Sequence, residues 1–95
     1  MREQDIEKYL RDEVKKVGGV AYKFVSPGNS GVPDRIVLLP GGEIHFIELK
    51  APGKKSTALQ AGQQERISKL GFNVMVIDGK ERVDAFIRLA GRNWV

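Results

Sequence analysis

The sequence contains no cysteine, so neither a disulfide framework nor a thiolate zinc site holds the chain together. A reducing, intracellular setting is compatible with that. No apolar run approaches the twenty or so residues that cross a bilayer, and the charged start Met1-Arg2-Glu3-Gln4-Asp5 resembles no signal peptide. The chain reads as soluble. Repeats, low-complexity segments and an interdomain linker are also missing, which leaves one compact domain over residues 1–95, near the lower end of what a single core stabilises. Acidic residues are scarce through the middle of the chain. Between Val14 and Gln64 stand seven cations (Lys15, Lys16, Lys23, Arg35, Lys50, Lys54, Lys55) and three acids, Asp34, Glu43 and Glu48, within a net charge of +4. A basic surface of this kind attracts polyanions, nucleic acid among them.

The hydrophobic periods alternate between helix and strand. Ile6, Leu10, Val14 and Val17 recur at three- and four-residue steps, predicting a helix over 3–17 that Gly18-Gly19 ends. Val20 to Val25 is β-branched and aromatic, hence a strand, and Ser26 to Gly31 is a dense cluster of turn formers. Asp34–Leu39 and Glu43–Lys50 flank Pro40-Gly41-Gly42 and predict a hairpin. After a loop containing Pro52 and Gly53, Ser56 or Thr57 caps a helix to Leu70 with Leu59, Ile67 and Leu70 turned inward. Phe72–Ile77 has the pattern of a strand buried on both faces, and 80–89 reads as a last helix with Val83, Phe86, Ile87 and Leu89 apolar. The expected order is αβββαβα, a mixed sheet flanked by helices in the α/β class.

Chemistry concentrates where this patterning breaks. Glu48 and Lys50 share one strand face with the apolar Ile44 and Phe46. A face that turns abruptly from apolar to charged marks a functional site. Fourteen residues before Glu48 stands Asp34, inside Gly31-Val32-Pro33-Asp34-Arg35. A two- or four-residue turn would pair Asp34 with Leu49, on the wrong face. Bringing Asp34 opposite Glu48 requires an odd loop or a bulge near Gly41-Gly42. Two adjacent carboxylates raise each other's pKa unless a cation lies between them, and Mg²⁺ is the hard, oxygen-seeking choice. Such a cation polarises a phosphate and activates water, with Lys50 orienting that water or stabilising the transition state and the Leu49 carbonyl as an extra ligand. These groups together read as a phosphodiester hydrolase.

At these residues the sequence resembles the PD-(D/E)xK, restriction-endonuclease-like nucleases: Pro33-Asp34, then Glu48-Leu49-Lys50. It is similar in particular to the virus-type replication-repair nuclease (VRR-NUC) domains. That likeness spans an early helical glutamate, Lys23-Phe24-Val25-Ser26-Pro27-Gly28, Gly31 to Arg35, Phe46 to Ala51, and a glutamine after Leu59. The resemblance implies a restriction-endonuclease-like core, Mg²⁺ or Mn²⁺ dependence, and action on branched or flapped DNA in a prokaryotic or phage-infected cytoplasm. It makes Asp34 and Glu48 metal ligands, gives Lys50 to the nucleophile, and asks for a first-helix acid. Glu3 is preferred, with Glu7, one turn on, as the alternative. Gln60 fits the post-sheet glutamine better than Gln63 or Gln64.

Lys23, Arg35, Lys54 and Lys55 are candidate phosphate contacts, and the loop with Ser26, Gly28, Asn29 and Ser30 brings backbone and small donors to DNA. His45, on the face opposite Glu48, reads as a packing or surface residue, and Trp94 as a surface for a neighbour. With no recognition helix or zinc module, DNA shape is the expected determinant. Two opposed cuts in a four-way (Holliday) junction suit a homodimer. A flap or single-strand nuclease, a non-catalytic DNA-binding module of the same fold, and a hydrolase of RNA or nucleotides are the competing readings.

Overall fold

The computed structural model describes residues 1–90; Trp94 lies outside the described residues. The elements are α1 (Glu3–Lys16), β1 (Val20–Lys23), β2 (Arg35–Leu39), β3 (Glu43–Leu49), α2 (Ala58–Lys69), β4 (Asn73–Ile77) and α3 (Lys80–Ala90). This is the succession that the hydrophobic periods predict. None of the described helices is long and apolar enough to cross a membrane. α1 starts where the Asp5 carboxylate accepts the Arg2 N–H at 3.1 Å, placing an acid at the positive end of the helix dipole. It ends at Gly18, whose φ of 84° lets the Gly19 N–H return to the Val14 carbonyl at 3.0 Å.

The sheet order is β1-β2-β3-β4, with the first two pairings antiparallel and β3–β4 parallel. α2 makes the crossover between the parallel strands. Pro40-Gly41-Gly42 forms a three-residue loop in which Gly41 and Gly42 have φ of 86° and 81°. This is the odd loop that the position of Asp34 demands. It sets Arg35 opposite Ile47 and Leu39 opposite Glu43, and the same register continued by one residue faces Asp34 to Glu48. A slip of one residue would send Asp34 to the other face.

One face of the sheet holds the core. Val37, Leu39, Ile47, Leu49 and Ile77 are buried beneath Ile6, Leu10 and Val14 of α1 and Val83, Phe86 and Ala90 of α3. Burying a large aliphatic or aromatic side chain contributes about 1.5–3 kcal/mol, so most of the fold's stability resides on this side. His45 belongs here too, 3.0 Å from a Glu43 carboxylate oxygen, 2.9 Å from the Asn73 amide and edge-on to Phe86. It packs, as expected.

The other face differs from expectation. Leu59 and Leu70 do not turn inward: they are 58% and 72% exposed, and α2 has no fully buried residue. α2 leans on β4 and on the loop before β2, where Gln63 donates to the Ser30 carbonyl at 3.3 Å, so its apolar stripe overhangs the sheet. β4 is not buried on both faces either, because it forms the edge of the sheet; only Ile77 is fully buried, and the preceding Phe72 is exposed. Leu89 of α3 is likewise exposed. An apolar run does not distinguish a central strand from an edge strand. The register builds two apolar rows across this face: Val20, Leu38, Ile44 and Phe72, then Tyr22, Ile36, Phe46 and Val74. The third row is Phe24, Asp34, Glu48 and Val76, where charge enters.

Candidate active site

Where β2 begins and β3 ends, the two carboxylates come side by side. Asp34 is anchored from both sides of its peptide. Its carbonyl accepts the Phe24 N–H at 2.7 Å, and its Oδ2 accepts the Leu49 N–H at 2.8 Å. A strand residue presents N–H and C=O to the same edge, so the Leu49 carbonyl also faces the Asp34 side while its side chain is buried. Glu48 is 1% exposed, and it is the one fully buried charged side chain among the described residues. Burial first, then the charge and hydrogen-bonding proximity of Asp34, push its carboxyl up to about 7; Lys50 pulls the other way. Its Oε1 is buried with no hydrogen-bond donor.

The other oxygen of Glu48 enters a polar network that ties α2 to the site. Gln60 Nε2 donates to Glu48 Oε2 at 3.3 Å, and Lys50 Nζ lies 3.5 Å from the same oxygen. Lys50 Nζ donates to Gln60 Oε1 at 2.7 Å, and the Thr57 N–H donates to that oxygen at 2.9 Å. Thr57 Oγ1 accepts the Gln60 N–H in return at 3.2 Å, closing a capping box. The helix cap and the lysine clamp are thus one device. Gln60 is the glutamine brought to the carboxylates; Gln63 and Gln64 bond to Ser30 and Ser56 instead.

On the other side, a cavity of about 210 Å³ is lined by Glu3, Glu7, Lys23, Phe24, Asp34, Arg35 and Leu49. Both first-helix acids therefore face the Asp34 end of the sheet. Glu7 is already engaged, with Arg35 at 2.7 Å and Arg11 at 3.7 Å. Arg35 departs from its expected position as an open phosphate contact: its side chain is 11% exposed and its guanidinium is enclosed between Glu7 and the Ala21 carbonyl. The residue after Asp34 points to the opposite face of β2, under α1. A pairing between residues 7 and 35 left no local signal in the sequence.

The remaining candidates lie on the surface. Lys23, Lys54 and Lys55 are exposed. In the loop before β2, Gly28 has a φ of 83°, Ser30 is exposed, and the Asn29 amide donates to Ser26 Oγ at 2.8 Å, which uses one of its two N–H donors within the loop. Among the described residues no group of three or more His, Cys, Asp or Glu side chains is close enough to hold a metal. The available donor set is the Asp34–Glu48 pair and the Leu49 carbonyl, with Glu3 along the same cavity. These are hard oxygens, and an orphaned, buried carboxylate oxygen held beside a second carboxylate fits a divalent cation.

No family model matches the chain. A protein named "Putative nuclease p44", from Acyrthosiphon pisum secondary endosymbiont phage 1, is 54% identical over 81 residues, covering 85% of this chain and 87% of its own length. A solved structure described as a VRR_NUC domain superposes with a TM-score of 0.85 at 36% identity, over 90% of this chain and 94% of that one. The chain belongs to the VRR-NUC family. The αβββαβα order with a four-stranded mixed sheet is the fold of that VRR-NUC structure. Membership extends over nearly all of the described chain, and the fold it brings points to a divalent metal cofactor.

Proposed function

We propose that the chain is a Mg²⁺- or Mn²⁺-dependent endonuclease that hydrolyses phosphodiester bonds in branched DNA, four-way junctions foremost, and acts as a homodimer in the cytoplasm of a prokaryotic or phage-infected cell. One observation carries the hydrolytic part: a three-residue loop sets the register that faces Asp34 to Glu48, with Glu48 Oε1 buried and lacking a donor and Lys50 clamped beside it. The nuclease named among its relatives and the family itself agree with that reading.

Asp34, Glu48 and the Leu49 carbonyl would hold the cation, with Glu3 as the further acid. A bound divalent ion supplies Lewis-acid chemistry to the scissile phosphate and to the attacking water. The chain's own residues do the rest. The Leu49 N–H fixes Asp34 Oδ2 and so sets the orientation of that carboxylate. The Gln60 amide holds Glu48 with its nitrogen and Lys50 with its oxygen, locking an acid and a cation in one geometry. An ammonium has three donors, so Lys50 retains protons for a phosphate oxygen or for the water that attacks it. Phosphate charge is met by Lys23 at the cavity and by Lys54 and Lys55 on the loop after β3.

Selection of branched DNA rests on what the chain offers a duplex. Among the described residues no helix is set apart for major-groove reading, while Lys23, Lys50, Lys54 and Lys55 gather around one end of the sheet. The open apolar rows favour the dimer. Val20, Tyr22, Ile44 and Phe72, with Leu59 and Leu70 of α2, are all exposed on that side. Contiguous apolar surface larger than a few hundred Å² is uncommon on a monomer. A two-fold pair joined there carries two sites, as two opposed cuts in a junction require.

The test is cleavage of a labelled panel (four-way junction, flap, single strand, linear duplex) by the purified chain with Mg²⁺ or Mn²⁺. Faster cutting of the junction, in two symmetric strands, supports the proposal. A preference for the flap or the single strand replaces the substrate but keeps the chemistry. Junction binding without any cutting by folded protein favours a non-catalytic binding module.

A further inference from the structure

Arg35 follows Asp34 directly, yet its side chain is enclosed where a phosphate ligand would be open. One guanidinium nitrogen lies 2.7 Å from Glu7 Oε1, another donates to the Ala21 carbonyl at 3.3 Å, and Nε is buried without a partner. To reach DNA it would have to break a half-buried ion pair and leave Glu7 without its main partner, which is costly. Glu3 stands one helical turn before Glu7, roughly 6 Å along the axis and on the same side. Both line the cavity that Asp34 and Leu49 share. No ion pair or side-chain hydrogen bond among the described residues engages the Glu3 carboxylate.

We infer that Arg35 is a positioning residue: its ion pair with Glu7 pins α1 to β2 beside Asp34 and, by occupying Glu7, leaves Glu3 as the helix carboxylate available to the cation. The inference rests on the proposed reading of Asp34 and Glu48 as cation ligands. Two features give the pair its leverage. Asp34 and Arg35 are consecutive, so a displacement of one is passed to the other through a single peptide. The guanidinium is planar and grips Glu7 and a β1 carbonyl with different nitrogens, which fixes the angle of α1 as well as its distance. A lysine at position 35 would keep the charge and lose that geometry.

A phosphate contact and a strut behave differently once DNA and metal are measured apart. Mn²⁺ binding without DNA, followed by its paramagnetic resonance signal, and binding of a fluorescent four-way junction in EDTA over a salt series separate them. The variants are Asp34→Ala, Glu7→Gln, Arg35→Met and Arg35→Lys, each checked for folding by thermal melting. Glu7→Gln and Arg35→Met should each weaken Mn²⁺ binding about tenfold or more, the range for groups that orient metal ligands. Arg35→Lys should recover part of that loss, and junction affinity and salt slope should match wild type throughout. Weaker junction binding by Arg35→Met, with a salt slope lowered by about one, would make Arg35 a phosphate contact and overturn the inference. Unchanged Mn²⁺ affinity in folded Glu7→Gln, alongside loss in Asp34→Ala, overturns the strut and leaves the metal site standing. Wild type that binds no Mn²⁺, or Asp34→Ala that binds it normally, overturns the metal site and the strut together. If Arg35→Met does not fold, Glu7→Gln and Arg35→Lys decide the matter.

Discussion

Replacing Glu48 with glutamine keeps the shape of a buried side chain and removes its charge, and in EDTA the variant should be the more stable protein at alkaline pH. The Glu48 carboxyl is raised from its ordinary 4.5 to about 7, chiefly by burial and then by Asp34. An acid with a raised folded pKa binds its proton more tightly in the native chain than in the unfolded one. Its contribution to stability is therefore fully present below pH 4.5, falls as pH rises from 4.5 through about 7, and is flat above that. At 1.36 kcal/mol per unit, the full shift corresponds to about 3 kcal/mol. Urea denaturation of wild type and Glu48→Gln should give similar stabilities near pH 4.5 and a gap of about 2–3 kcal/mol in favour of glutamine at pH 8. The glutamine amide also supplies a donor toward Asp34, where the carboxylate has none. Saturating Mg²⁺ or Mn²⁺ should close the gap by stabilising wild type alone, by about 2.7 kcal/mol at a hundredfold excess over Kd. A gap that does not vary with pH, or a wild type that gains on the variant as pH rises, would refute the assignment of Glu48 as a buried acid with a raised pKa and one orphaned oxygen.

Three further outcomes follow from the same geometry. Lys50→Ala should lower the single-turnover cleavage rate about 10²–10³-fold, the range for removing one positioned transition-state donor, while junction binding in EDTA persists. Tyr22→Glu puts a charge into the open apolar rows and should shift the chain from dimer to monomer in sedimentation velocity, leaving the thermal melt of the monomer fold intact. Lys54→Ala with Lys55→Ala should weaken binding to junctions of any sequence alike and reduce the salt slope by up to about two.

The hairpin shows what could be read before the structure was known. Alternation along a strand, and the requirement that Asp34 share a face with Glu48, are enough to demand an odd loop or a bulge near Gly41-Gly42, and the register has the odd loop. The helices and strands were legible for the same reason, since periods of 3.6 and 2 are written in single residues. Gln60 fits the family's post-sheet glutamine better than Gln63 or Gln64, because Leu59 precedes it and Ile67, Leu70 and Gly71 follow at matching steps, and it is the one that reaches Lys50 and Glu48. Contacts between residues far apart in sequence were not legible. Glu7 and Arg35 each read as a plausible site residue alone, and only the packing of α1 on β2 reveals that they satisfy each other. Leu59 and Leu70 carried the helical period of a core-facing stripe, but period states which residues share a side and not what lies beneath it. That is why the open face of the sheet had no counterpart in the sequence.

The most direct measurement is cleavage of a labelled four-way junction by wild type and Asp34→Ala, each with Mg²⁺, Mn²⁺ or EDTA, after both have been shown to fold and to bind the junction. Cutting that needs the divalent ion and disappears in Asp34→Ala is the expected result. Cutting that persists in EDTA, or that survives loss of Asp34, would contradict a metal site built on the Asp34–Glu48 pair.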